Sequence, residues 1–79
     1  MQKHVKIYMD YFNLHGELVL CEVCNNPAVD VHHIEGRGKG KDVIENLIAL
    51  CRDCHMIVNT DMLPKWKLKE VHKKNIHEN

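Results

Sequence analysis

The chain has 79 residues, and its 11 basic and 11 acidic side chains cancel to a formal net charge of zero at pH 7. This length predicts one small domain whose core alone is marginally stable, so we expect a disulfide, a metal ion or a partner subunit to stabilise it. The sequence has no apolar run of about 18 residues, which excludes a transmembrane helix, and its first ten residues do not resemble a secretory signal. Balanced charge also argues against binding to nucleic acid through bulk positive charge, but it leaves local basic patches open.

An amphipathic helix is predicted over residues 3–14, within an N-terminal segment spanning 1–16. Gly16 follows as the expected stop. The apolar face, expected to be core or a dimer contact, is formed by Val5, Tyr8, Met9 and Phe12.

The next segment, 18–60, is predicted to be the domain core. It opens with a short apolar run, Leu18-Val19-Leu20, that indicates a strand or extended lead-in, and 25–28 has turn chemistry. Residues 29–34 alternate and are β-branched, which predicts a strand.

A glycine-rich basic loop over 36–41 follows this strand. Asp42 is expected to cap a helical turn, with Glu45 three residues later. A short helix is predicted over 52–59.

The last segment, 64–79, is predicted to be a basic helix, with Pro64 at its first turn and regular helix over 65–74. Its lysines either follow a DNA backbone or only keep the helix soluble. We expect Trp66 to pack against the core. The remaining histidines are expected on the surface: His4, His15, His72 and His77.

Four cysteines form two Cys-x2-Cys pairs, Cys21 with Cys24 and Cys51 with Cys54, separated by 26 residues. Two such turns can direct four sulfur atoms to one point, a tetrahedral arrangement that suits zinc or an iron–sulfur centre. Two disulfides or four buried free thiols are the alternatives. We favour a structural zinc ion, which would stabilise the small domain. Because four thiolates fill its coordination positions, such an ion would have none open for catalysis.

Residues 21–56 contain three informative stretches: Cys-Glu-Val-Cys, Val-Asp-Val-His-His-Ile-Glu-Gly-Arg-Gly and Val-Ile-Glu-Asn-Leu-Ile-Ala-Leu-Cys-Arg-Asp-Cys-His. Together they resemble the HNH endonucleases, a family built on the ββα-metal nuclease fold. The family pattern has the same elements in the same order: Cys-x2-Cys, a His-His or Asp-His pair before Ile, Glu-Asn-Leu, Leu-Cys-x2-Cys and His. The resemblance implies an α+β domain with a small ββα-metal core, stapled by a four-cysteine zinc site and flanked by terminal helices.

The resemblance also implies a role for each matching residue. His33 would be the general base, and His32 and His55 would bind a catalytic divalent metal ion. The Asn46 amide would hold the connecting loop and the base. Arg37, where many relatives carry an arginine, would clamp the phosphate or stabilise the transition state; the alternative is an ordinary solvated loop residue. An imidazole, with an unperturbed pKa near 6.5, has a neutral fraction at pH 7 that can accept a proton from water.

An ion bound by two histidines keeps open positions for phosphate oxygens, and zinc, nickel, manganese or magnesium would suit such a site. Asp30 is a secondary candidate, either as a third ligand or as an acceptor for a histidine N–H. Adjacent residues of a regular strand point to opposite faces, so His32 and His33 can serve one site only if the strand ends or bends there.

These features predict a metal-dependent endonuclease that hydrolyses DNA with weak sequence specificity and strong salt dependence. We expect DNA as the partner, no membrane, and a cytoplasmic location in a bacterial cell or a phage-infected host. A homodimer or a separate targeting partner is left open. The alternatives are a zinc-stapled DNA-binding module and a partner-dependent accessory factor without its own nuclease activity.

Overall fold

The computed structural model describes residues 2–78 and confirms the predicted α+β class, with helices at both ends. Met1 and Asn79, the outer limits of the predicted domain, lie outside the described residues. A 3-10 turn, Ile44–Asn46, directly precedes the second strand. The helices and strands are, in chain order, α1 (Lys3–Phe12), β1 (Asp30–His33), β2 (Leu47–Leu50), α2 (Arg52–Met56) and α3 (Lys65–Glu78).

The two strands form an antiparallel sheet in which Asp30 pairs with Leu50 and His33 pairs with Leu47. Every residue of β2 is buried, because helices cover both faces of the sheet. On one face, Tyr8 of α1 packs with Val31, Leu47 and Ala49.

The other face of the sheet carries the larger apolar cluster. Ile48 and Leu50 pack there with the cysteine turns and with Leu68 of α3. Side chains alternate along a strand, so neighbouring residues of β1 face different helices.

Three predicted helix ends are displaced in the structure. The first helix ends at Phe12 because Asn13 adopts a left-handed conformation (φ 55°), which asparagine tolerates; Gly16 lies in the turn beyond. The helix predicted over 52–59 ends at Met56, and the one predicted over 65–74 continues to Glu78.

The expected helix cap at Asp42 is wrong. The 3-10 turn starts after Val43, which makes no side-chain cap hydrogen bond. The Asp42 carboxylate instead accepts a hydrogen bond from Nε2 of His33 at 2.7 Å, which turns this side chain away from the start of the 3-10 turn.

The predicted burial of Trp66 is also wrong, since 64% of its surface is exposed. Leu68 and His72, four residues apart on α3, occupy the inward face, and Trp66 lies on the opposite side of the helix. His4 and His72 are buried rather than on the surface, with exposed fractions of 4% and 1%.

A buried polar network ties both terminal helices to the first cysteine turn. Glu22 in that turn accepts a hydrogen bond from the Tyr8 hydroxyl of α1 (2.6 Å) and from the Asn75 amide of α3 (2.9 Å). The His72 ring also bonds the Glu22 carboxylate, at 2.9 and 3.0 Å. The cysteine turn is therefore a structural junction as well as a candidate metal site.

No helix among the described residues combines the length and apolar character needed to cross a lipid bilayer.

Candidate active site and metal centre

The four cysteine sulfur atoms converge on one point. All four lie within 4.8 Å of one another, and the Cys24 and Cys51 sulfurs are 3.5 Å apart. Two sulfurs bound tetrahedrally to one zinc at about 2.3 Å are about 3.8 Å apart, so the arrangement fits a zinc ion. Among the side chains of residues 2–77 it is the one group of three or more His, Cys, Asp or Glu residues with this closeness.

Local backbone structure aims each pair of sulfurs. In the first turn the Cys21 N–H donates to the carbonyl of Asn26 (2.7 Å), and Asn25 adopts the left-handed conformation that the tight turn requires. In the second, Cys51 caps α2, and its sulfur accepts a hydrogen bond from the Cys54 N–H. This backbone donor lowers the pKa of Cys51 to about 7, which favours the thiolate that binds metal.

The structure brings together the two predicted ligands of the catalytic ion. The rings of His32 on β1 and His55 on α2 lie edge to face, with centroids 5.2 Å apart. Asp30 faces the same side of the strand, with its carboxylate 3.6 Å from Nδ1 of His55. Nε2 of His32 is buried and has no hydrogen-bond partner in the described part of the chain. Burial, and then the nearby His55, lower the pKa of His32 and keep its ring neutral, the form that binds a metal ion.

The predicted base, His33, lies on the opposite face of β1 from this pair. Its ring packs against the ring of His4 from α1 at a centroid distance of 4.5 Å, and its Nε2 bonds the Asp42 carboxylate. The strand ends at His33, as a shared site requires, yet the rings of His32 and His33 contact different helices. Sharing one substrate therefore requires that the substrate cross the end of the strand.

The Asn46 side chain fastens both ends of the loop that follows β1. Its oxygen accepts from the Glu35 N–H (2.8 Å), and its amide donates to the carbonyls of Gly36 (3.3 Å) and Lys41 (2.9 Å). Asn46 is buried where β2 begins, so the loop is anchored to the sheet. This geometry has the form expected of a residue that holds the connecting loop; its part in catalysis stays a prediction.

The basic side chains of the loop after β1 and those of α3 differ in whether they form ion pairs within the protein. Arg37 is exposed in the loop and forms no ion pair with the side chains that the structure describes, those of residues 2–77. On α3, by contrast, Lys65 and Lys69 both pair with Glu35, which holds this part of the helix against the start of the loop. Two of the α3 lysines are thus already engaged within the fold.

Sequence reasoning missed two residues of this region, Asp42 and His4. They lie 9 residues after and 29 residues before His33, and no local pattern links either one to it. Only the packing of α1 on the sheet and the path of the anchored loop bring them to the His33 ring.

The sequence of this chain is similar to those of known proteins. The HNH endonuclease family model matches residues 21–60, just over half of the chain, and that stretch contains both cysteine pairs and all of the predicted catalytic residues. The chain is also similar to a mitochondrial DNA mismatch repair protein mutS homolog of Sarcophyton glaucum, with 32% identity over 63 residues. That alignment covers 68% of this chain and 6% of the relative. No solved structure matches. The extent of the family match, together with the cysteine cluster and the α+β fold, places this chain in the HNH endonuclease family.

Proposed function

We propose that this chain is a metal-dependent endonuclease that hydrolyses phosphodiester bonds of DNA, the substrate on which HNH nucleases act. The observation that carries the proposal is the facing pair of His32 and His55, in which Nε2 of His32 is buried without a protein partner. A buried unpaired nitrogen costs about 1–3 kcal/mol, a cost that a ligand that is not protein would offset. A divalent metal ion is such a ligand.

His32 and His55 would hold this ion through one nitrogen each, and the Asp30 carboxylate would orient the His55 ring through Nδ1. Magnesium, manganese, nickel and zinc all suit such a site when phosphate oxygens and water complete the ligand shell. Bound there, the ion supplies charge stabilisation to the scissile phosphate and to the leaving oxygen.

His33 would act as the general base. Its ring takes a proton from water, the water oxygen attacks phosphorus, and the bond from phosphorus to the 3′ oxygen breaks. The leaving 3′ oxygen takes a proton from solvent water and His33 returns its proton to solvent, which leaves 5′-phosphate and 3′-hydroxyl ends. For His33 and the metal pair to act on one phosphodiester, the DNA has to cross the end of β1, where the loop held by Asn46 begins. Arg37 in that loop, whose charge acts on the neighbouring His4 ring, would contact a phosphate there.

Plasmid nicking by the full chain tests the proposal. We expect cleavage with magnesium, manganese or nickel and none with EDTA, and loss of at least about 100-fold in rate for His33→Ala. His55→Ala should lose activity and a second, exchangeable metal ion while it keeps one zinc per chain. His15→Ala is the control, because His15 is exposed and pairs with Asp10 on α1 rather than with a residue of the candidate site. Nicking that survives in His33→Ala would contradict the assigned base.

A second function is favoured by one observation: the His33 side chain is only 4% exposed. A base this enclosed reaches water with difficulty, which favours a zinc-stapled DNA-binding module, or a factor that needs a partner to open the site. Such a module would hold one zinc, bind DNA in a salt-dependent manner and nick under none of the metal conditions.

A further inference from the structure

His33 lies between two side chains that come from outside its own strand. Asp42, from the end of the loop, is 2.7 Å from Nε2, and His4, from α1, packs ring to ring at a centroid distance of 4.5 Å. The family match begins at residue 21, so the segment that carries His4 is not part of it. The contact between His4 and His33 therefore comes from the packing of α1 onto the sheet, outside the residues that the family match covers.

The contact with Asp42 sets which ring nitrogen of His33 carries the proton. A carboxylate only accepts hydrogen bonds, so Nε2 must be the donor. The Asp42 carboxyl is ionised at neutral pH, because its hydrogen bond with His33 lowers its pKa further. In the neutral ring the lone pair then lies on Nδ1, which makes no hydrogen bond with the described side chains, those of residues 2–77.

His4 fixes the plane of the same ring. Only 4% of the surface of His4 is exposed, and its Nε2 has no hydrogen-bond partner among the described residues. Burial, followed by the charges of His33 and Arg37, lowers the pKa of His4, so its ring is neutral. A neutral ring adds packing against His33 without placing a second positive charge beside it.

We propose that Asp42 and His4 are positioning residues that hold His33 in the single tautomer whose Nδ1 accepts the proton from water. Asp42 selects the tautomer, and His4 prevents the ring from rotating away from the end of β1. The assignment of this role rests on the proposed function, but the tautomer itself is a property of the free protein that does not depend on activity.

Nitrogen NMR of the zinc-loaded protein in mildly alkaline buffer tests the tautomer directly. We expect Nε2 of His33 to carry the proton and Nδ1 to have the chemical shift of an unprotonated imidazole nitrogen. Asp42→Ala should shift the ring toward a mixture of both tautomers. Asp42→Asn should retain the wild-type pattern, because its amide oxygen can still accept from Nε2.

Nicking kinetics test the consequence. Asp42→Ala should lower kcat by about 10- to 100-fold with KM nearly unchanged, and Asp42→Asn should recover much of this loss. His4→Phe, which keeps a ring against His33, should be far more active than His4→Ala. Asp10→Asn is the matched control, since Asp10 also pairs with a histidine, His15, but in an exposed position on α1.

The nitrogen shifts and the nicking rates can each overturn the proposed positioning of His33. A proton on Nδ1 in the wild type, or an Asp42→Ala protein that keeps both the wild-type nitrogen shifts and the wild-type kcat, would overturn it. If the wild type nicks DNA with none of the metals, the endonuclease proposal fails and the NMR comparison alone supports or overturns the positioning of His33. Circular dichroism and zinc content confirm that each variant compared is folded.

Discussion

Both ring nitrogens of His72 face hydrogen-bond acceptors, and one of these is the carboxylate of Glu22, 50 residues away in the first cysteine turn. Nδ1 bonds Glu22 at 2.9 Å, and Nε2 bonds the carbonyl of Ile44 at 2.5 Å. Since neither acceptor can donate, both nitrogens must carry protons, and the buried ring is an imidazolium ion. The C-terminal helix is thus attached to the cysteine turn by a buried ion pair.

Removing one partner of this pair should destabilise the protein strongly. We expect Glu22→Gln and His72→Gln each to lower the free energy of unfolding by about 3–5 kcal/mol, because the remaining charge would be buried without its counterion. Urea unfolding of the zinc-loaded protein measures the change. Asp10→Asn, which breaks an exposed pair with Lys6, should change stability by less than about 1 kcal/mol. Equal effects in the buried and exposed pairs would show that Glu22 and His72 are not charged in the folded state.

The same pair predicts how stability depends on pH. Burial alone would lower the pKa of His72, but the hydrogen bond and charge of Glu22 outweigh it, and the pKa is raised above 6.5. Glu45 in the 3-10 turn adds to this rise. The stabilisation by His72 is therefore complete below about pH 6.5 and is lost as pH rises through the higher folded-state pKa.

Urea unfolding at several pH values above 6 tests this. The free energy of unfolding should fall with rising pH in the wild type and should be nearly flat over the same range in His72→Gln. An identical decline in both proteins would assign the effect to another group.

Loss of the metal should unfold the domain. Structural zinc contributes about 10–16 kcal/mol in zinc-finger peptides, which exceeds the whole stability of a typical small domain. We expect Cys51→Ser, or zinc removal by a strong chelator, to abolish the helical circular dichroism signal. Met56→Ser, at an exposed residue of the same helix, should retain the fold and the zinc. A folded protein with two disulfides and no metal would contradict the zinc site.

The loop anchored by Asn46 should open when its side chain is removed. Asn46→Ala loses three hydrogen bonds to backbone groups, each worth about 0.5–1.5 kcal/mol, and leaves the Glu35 N–H without its acceptor. Trypsin should then cut after Arg37, Lys39 or Lys41 much faster than in the wild type. Asn26→Ala is a control at an exposed position. Unchanged cleavage in Asn46→Ala would show that other contacts hold the loop.

The four-cysteine cluster and the family could be predicted from the sequence because both depend on the spacing of residues along the chain. Cys21 and Cys24, like Cys51 and Cys54, act within single turns, and a turn needs only its own few residues to aim two sulfurs. The strand at 29–34 was likewise predictable, since alternation and β-branching are local properties.

What only the tertiary structure decided is which distant groups meet. The burial of His4 and His72, the exposure of Trp66 and the pairing of Asp42 with His33 depend on how α1 and α3 pack onto the sheet. A histidine has no strong preference for core or surface, so its partners determine its environment. His32 and His33 show the limit most directly: they are adjacent in sequence, yet the strand directs them to opposite faces, one toward α2 and the other toward α1.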